Sequence, residues 1–156
     1  MRPPLPIGAP GRPAFVAHRG ASDRALENSL SAFALAVADS ADMIEFDVRL
    51  SSDGVPVVFH DEATGRTAKE NVSVARTRWA RLARVRLKNG EPIPSLAEVL
   101  DLLRGAVPVN IESKAPGGVA APDARSANAA HGAAIVERLV AAGAGMCAQL
   151  RDTIDA

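Results

Sequence analysis

Four short stretches of this sequence end apolar runs in ionisable side chains: AHRG at residues 17–20, EFD at 45–47, FHD at 59–61 and IESK at 111–114. Glu45, Asp47 and Glu112 offer carboxylate oxygens, the donors that hard cations such as Mg²⁺ and Ca²⁺ take. His18 and His60 can carry protons near neutral pH. Arg19 and Lys114 can hold an anion, Arg19 through a planar fork of donors. A divalent cation, two proton carriers and two fixed cations together suit hydrolysis of a phosphate ester.

These residues must be brought together by the elements that carry them. Residues 14–18 read as a short buried strand between Pro13 and Gly20. Residues 29–38 read as a helix with an apolar face of Leu30, Phe33, Ala34 and Val37, capped by Asn28 or Ser29. Residues 43–50, MIEFDVRL, alternate with period two. Alone, that alternation would put Glu45 and Asp47 on a solvated face. The Asp53-Gly54 turn leads into a strand over residues 55–59, ending at His60-Asp61. Residues 62–91 lose regular periodicity, are rich in Arg, Thr and Lys, and read as an excursion with some helix near residues 79–87. Its basic run of Arg76, Arg78, Arg81, Arg84 and Arg86 reads mostly as a solvated face. Ser95 and Glu98 form a capping box before a helix whose apolar face is Leu96, Val99, Leu100 and Leu103. Residues 107–112 read as a further buried strand, 115–130 as a loop rich in small residues, and 132–142 as a last helix.

Strands alternating with amphipathic helices imply βα units around a parallel sheet. Sites in that architecture lie at the carboxyl ends of the strands. The polar ends of the strands at His18-Arg19, Glu45–Asp47 and Glu112–Lys114 all fall there, which favours a site over a solvated face. A two-residue turn at Asp53-Gly54 would set Asp47 opposite His60, folding that histidine back toward the carboxylates.

The same residues resemble the glycerophosphodiester phosphodiesterase family. The matching stretches are AHRGAS, LENSLSAF, MIEFDVRLSSDGVPVVFHD, IPSLAEVLDLL and VNIESK, in family order across about residues 14–114. The resemblance implies a TIM barrel, with residues 61–92 as its small insertion. It implies Glu45, Asp47 and Glu112 as ligands of Mg²⁺ or Ca²⁺, His18 and His60 as the acid/base pair, and Arg19 and Lys114 on the phosphate. Glu27 and Asn28 match a family Glu-Asn pair near the site. The implied reaction converts a glycerophosphodiester to glycerol 3-phosphate and an alcohol. Ser29 stands where the family usually has Thr, and Ser113 replaces a commonly apolar residue.

Length sets a further expectation. A TIM barrel takes roughly 250 residues and eight strands, and this chain has 156. The fold expected is therefore α/β, the N-terminal portion of a barrel, with about three barrel strands plus a hairpin arm. The tail from Gly143 reads as polar and helix-compatible rather than as another barrel strand. An incomplete barrel leaves open sheet edges, which invite self-association. An inactive remnant or oligomerising fragment that keeps its metal ligands is the alternative function, and a phospholipase D-like enzyme of the same superfamily is another.

Composition narrows the partners. Lys+Arg and Asp+Glu are both 18, so the formal net charge of zero argues against a nucleic-acid binder with a basic surface. A small anionic substrate needs only a few local cations. The one cysteine, Cys147, excludes an intrachain disulfide and reads as a structural thiol. No run reaches the ~18 apolar residues of a membrane span. The proline-rich residues 1–13 read as an extended lead-in rather than a signal peptide, and the expected location is cytoplasmic. His131 reads as an exposed residue at the start of the last helix.

Overall fold

Strand β1 (Val16–His18) leads through a turn into helix α1 (Leu30–Ala38), and the chain returns as β2 (Met43–Leu50), parallel to β1. The computed structural model describes residue 11, residues 13–114 and the backbone of residues 148–152. The expected lead-in (apart from residues 11 and 13), the 115–130 loop, the 132–142 helix, His131 and Cys147 lie outside these residues. A short β3 (Pro56–Val58) pairs antiparallel with β2. A single helical turn, α2 (Trp79–Leu82), and α3 (Leu96–Leu103) precede β4 (Val109–Ser113). The last strand described, β5 (Ala148–Asp152), pairs parallel with β4. The sheet order is β1-β2-β4-β5, with β3 attached to β2 as a side arm.

The parallel strands are thus four, not three. The tail expected to be helix-compatible contributes β5, which covers the edge of β4 that was expected to stand open. Its sequence AQLRD lacks the apolar run by which a strand is usually seen. At the other end of the order β1 is short, and its first residue Val16 and the preceding Phe15 are exposed.

Alternation along the strands separates two faces. Ala17, Ile44, Phe46, Val48, Val109 and Ile111 point to one side and are buried against the helices. Helix α3 closes this layer with Leu96, Val99, Leu100 and Leu103, the face expected from its spacing. Each such large aliphatic or aromatic group, fully buried, stabilises by roughly 1.5–3 kcal/mol. Phe33 of α1 meets Phe46 with ring centroids 5.4 Å apart and planes tilted by 59°. The buried side of α1 is Ala32, Phe33 and Ala36, so the helix is rotated from the expected face and Ala34 is exposed. Small alanines, rather than the largest apolar residues, let α1 come close to the turn after β1.

Gly20 explains why that closeness is needed. Its φ is +83°, and a Cβ built there would lie 2.7 Å from the backbone carbon of Ala32. Ala21 N–H donates to the Ala32 carbonyl at 3.0 Å, fixing the approach. Gly20→Ala is expected to lower stability by about 1–3 kcal/mol from backbone strain, with the steric overlap adding to it. A denaturation midpoint equal to wild type would contradict this packing.

Both helix starts follow the sequence. Ser29 caps α1 by accepting from Ala32 N–H, which leaves Asn28 free for another role. At α3 the Ser95 hydroxyl accepts from Glu98 N–H, and Glu98 reaches back to Ser95 N–H at 2.8 Å.

The β2–β3 register differs by one residue from expectation. Val48 faces Val58, and Phe59 N–H donates to the Asp47 carbonyl at 3.0 Å. Asp47 is therefore opposite Phe59, not His60. Ser51 N–H bonds the Val55 carbonyl at 3.0 Å, so Ser52, Asp53 and Gly54 all belong to the loop. Gly54 takes φ +76°, as the last residue of a three-residue hairpin loop does. The extra loop residue shifts the pairing.

Residues beyond β3 build a second apolar cluster: Phe59, Ala68, Val74, Leu82, Val85, Leu87 and Ile93 pack with Val57 of β3. Leu26, in the turn after β1, is packed against it. The arginines of the basic run are exposed, as expected. No helix of the described residues is long and apolar enough to cross a membrane.

Candidate active site

The other face of the sheet carries the charge. Parallel pairing places His18 beside Glu45 and Asp47 beside Glu112. Two adjacent strands, β2 and β4, thus present acidic groups on one surface, and β1 adds His18 beside them. Glu45, Asp47 and Glu112 each offer a carboxylate oxygen, and these oxygens all lie within 4.8 Å of one another. Both faces of β2 are buried at this point, so Glu45 and Asp47 do not form a solvated face.

Cations and dipoles partly balance this charge. Lys114 Nζ donates to Glu112 Oε1 at 2.5 Å and lies 3.6 Å from Asp47 Oδ1. Arg19 Nε is 3.2 Å from Asp47 Oδ2, and Arg19 Nη1 donates to Glu27 Oε1 at 3.0 Å. Arg19 N–H points at Glu45, 2.8 Å from its carbonyl and 3.2 Å from Oε2. Arg19 holds this pose with φ +58°, an uncommon value for a residue with a Cβ. Asn28, also at positive φ, donates to Asp47 Oδ2 at 2.9 Å. Asparagine tolerates that backbone better than most residues. The Glu-Asn pair is therefore part of the site: Glu27 holds Arg19, and Asn28 holds Asp47.

Two carboxylate oxygens remain without hydrogen bonds despite burial, Glu45 Oε1 and Asp47 Oδ1. Buried oxygens normally have partners. Three clustered carboxylates with two orphaned oxygens fit a hard divalent cation, which would take both as ligands. Asn110 Oδ1 is likewise buried without a partner, on the strand position paired with Glu45. Nothing in the sequence marks Asn110, since a lone asparagine within a strand carries no motif.

Without a cation the cluster strains Glu45. Burial pushes its carboxyl up to about 7, and the negative charges of Asp47 and Glu112 add to this, against the opposing N–H of Arg19. Cation binding needs the ionised form, so affinity should rise with pH through this window and level off above it. Between pH 6 and pH 8 the ionised fraction of such a group grows about tenfold. Calorimetric titration with Mg²⁺ should show that gain, and equal affinities at the two pH values would contradict it.

The histidines sit at different places. His18 Nε2 lies 3.7 Å from Glu45 Oε2, with the side chain largely exposed at the mouth of the cluster. The His60 ring bonds Asp61 instead, Nδ1 to Oδ1 at 2.7 Å. Arg66 joins Asp61 to Glu27, which in turn holds Arg19. His60 is therefore tied to the carboxylate cluster through a chain of charged groups, not by the hairpin register expected from the sequence. Arg66 was not visible as a site residue, because nothing in the spacing of the insertion links it to Glu27.

The family comparison decides the relationship. A model of the glycerophosphoryl diester phosphodiesterase family matches residues 18–152. The chain belongs to that family. A glycerophosphodiester phosphodiesterase of Caldanaerobacter subterraneus is 37% identical over 107 residues, covering 64% of this chain and 44% of that protein. A mouse protein named lysophospholipase D GDPD3 is 40% identical over 78 residues, covering 47% of this chain and 24% of its own. Among solved structures, an Oleispira antarctica phosphodiesterase in complex with the product sn-glycerol-3-phosphate superposes with a TM-score of 0.76 at 28% identity. That match covers 90% of this chain and 57% of the other. The chain thus spans about half the length, or less, of these relatives. Its open α/β sheet corresponds to part of a TIM barrel.

Proposed function

We propose that this protein hydrolyses glycerophosphodiesters to glycerol 3-phosphate and an alcohol, using Mg²⁺ or Ca²⁺ held by Glu45, Asp47 and Glu112. The observation that carries this is the convergence of the three carboxylates with two orphaned oxygens, in a chain of this family. A bound divalent cation supplies Lewis-acid polarisation of the phosphoryl group and offsets its developing charge. The protein's own residues do the rest. Arg19 and Lys114 stand beside the carboxylates, placed to take phosphoryl oxygens by charge-assisted hydrogen bonds. One of His18 and His60 accepts the proton of the attacking hydroxyl or water, and the other donates a proton to the departing alcohol oxygen. The insertion over residues 61–92 supports this machinery through its apolar cluster against Leu26.

The test is product identity. Glycerophosphocholine with Mg²⁺ or Ca²⁺ should yield glycerol 3-phosphate and choline. Release of phosphocholine and glycerol would place the cleavage on the wrong side of the phosphorus. The named lysophospholipase D relative supports a second substrate of the same chemistry, a lysophospholipid with an acylated glycerol. Faster turnover of lysophosphatidylcholine than of glycerophosphocholine would favour it. Cation binding with no turnover of either diester would favour a non-catalytic member that keeps its ligands.

A further inference from the structure

We propose that Arg66 is a positioning residue, which locks the tautomer of His60 through Asp61 and sets Arg19 through Glu27. This rests on the proposed role of His60 as acid or base. Arg66 Nε donates to Asp61 Oδ2 at 2.6 Å. Its two Nη groups donate to both oxygens of Glu27, at 3.0 and 2.6 Å. One planar guanidinium thus spans two carboxylates, and each carboxylate holds a different site residue: Asp61 holds His60 and Glu27 holds Arg19. A lysine could not span both, because its ammonium lacks the fork.

The chemistry of the link gives its purpose. Burial alone would raise the Asp61 carboxyl, but hydrogen bonds from Arg66 and His60 outweigh it and keep it low. Glu27 is likewise kept low, chiefly by its hydrogen bond from Arg66. Both are therefore carboxylates near neutral pH and can only accept. His60 must then donate from Nδ1, which leaves Nε2 as the nitrogen that exchanges a proton with substrate. With Oδ2 of Asp61 engaged by Arg66, Oδ1 is turned to the ring.

The backbone around Arg66 is built to hold it. Thr64, buried, donates from its hydroxyl to the Glu70 carbonyl at 2.5 Å, and Ala68 N–H bonds the Thr64 carbonyl at 2.9 Å. Gly65 packs so closely on Asn71 that a Cβ there would lie 2.8 Å from Asn71 Cγ. The turn of residues 64–66 is thus anchored to the second apolar cluster through Ala68. The guanidinium itself is half exposed, so its surroundings do not require it for packing.

The experiment is long-range ¹H–¹⁵N correlation of the histidine rings in the Mg²⁺-loaded protein, with only three histidines to assign. Wild type should show His60 as a single tautomer with the proton on Nδ1. Arg66→Gln should show mixed tautomers at His60 while His18 is unchanged, and Arg66→Lys should show the same mixing to a smaller extent. A backbone ¹H–¹⁵N spectrum like that of wild type confirms that each variant is folded. In turnover of glycerophosphocholine, kcat/KM of Arg66→Gln should fall by roughly 10–100-fold, as for loss of other supporting contacts. A single Nδ1–H tautomer retained at His60 in both folded variants overturns the proposal, whatever happens to turnover. Tautomer mixing supports it even if wild type shows no turnover, a result that would count against the proposed function alone.

Discussion

Glu45→Gln is expected to weaken divalent-cation binding by more than about a hundredfold while leaving the metal-free protein at least as stable at pH 8. A supporting contact to a metal ligand is worth roughly 10–100-fold, and a charged ligand itself should exceed that. The stability half of the prediction has the opposite sign for a physical reason. The folded carboxyl of Glu45 is pushed up to about 7 by burial and by Asp47, above the ordinary value of a glutamate. The folded state therefore holds its proton more tightly than the unfolded chain does. Stability falls as pH rises from the ordinary glutamate range to about 7, and the cost is fully present above that. Neutral glutamine removes the cost. Thermal unfolding in chelator should show a midpoint for Glu45→Gln equal to or above wild type at pH 8. That advantage should disappear at pH 4, where Glu45 is protonated anyway. A variant that loses both cation affinity and metal-free stability would mean Glu45 is a packing residue rather than a ligand.

The second large effect concerns proton transfer. His18→Ala and His60→Ala should each lower turnover of glycerophosphocholine by about 10²–10⁴-fold, the usual contribution of a positioned acid or base. Cation affinity should change little, because neither ring is one of the three clustered carboxylates. The two variants should differ in secondary effects. His18 is largely exposed and stands 3.7 Å from Glu45, so its loss leaves the three carboxylates in place. His60 shares Asp61 with Arg66, so its loss also loosens the link to Glu27. Near-normal turnover in either variant would remove that histidine from the mechanism.

The sequence made some of this site legible and hid other parts. Strand β2 was readable to the residue because MIEFDVRL alternates strictly, and the Ser95–Glu98 box marked α3 by its chemistry. The carboxylates met as expected because two of them share β2, and parallel pairing needs only that the end of β4 coincide with it. The hairpin register missed by one residue, since a loop of Ser52-Asp53-Gly54 and a turn of Asp53-Gly54 share the same Asp-Gly signal. Helix α1 was rotated from its apolar face because close approach to Gly20 selects small alanines over large side chains. The core built by the residues after β3 was not seen, since Ala68 and Leu87 meet through an isolated bridge and Leu82 sits on a single helical turn, with no one periodic element to mark them. Asp61 and Arg66 reached the site by the same irregular route. The tail strand β5 carries too few apolar residues to announce itself, and its pairing partner β4 defines it.

The central claim is that three converging carboxylates serve phosphodiester hydrolysis through a divalent cation. ³¹P NMR of glycerophosphocholine with the protein tests it in one sample. With Mg²⁺ or Ca²⁺ present, the diester signal should decay as the monoester signal of glycerol 3-phosphate grows, and excess chelator should stop the conversion. A diester signal that persists with either cation, or a conversion that continues undiminished in chelator, would contradict it.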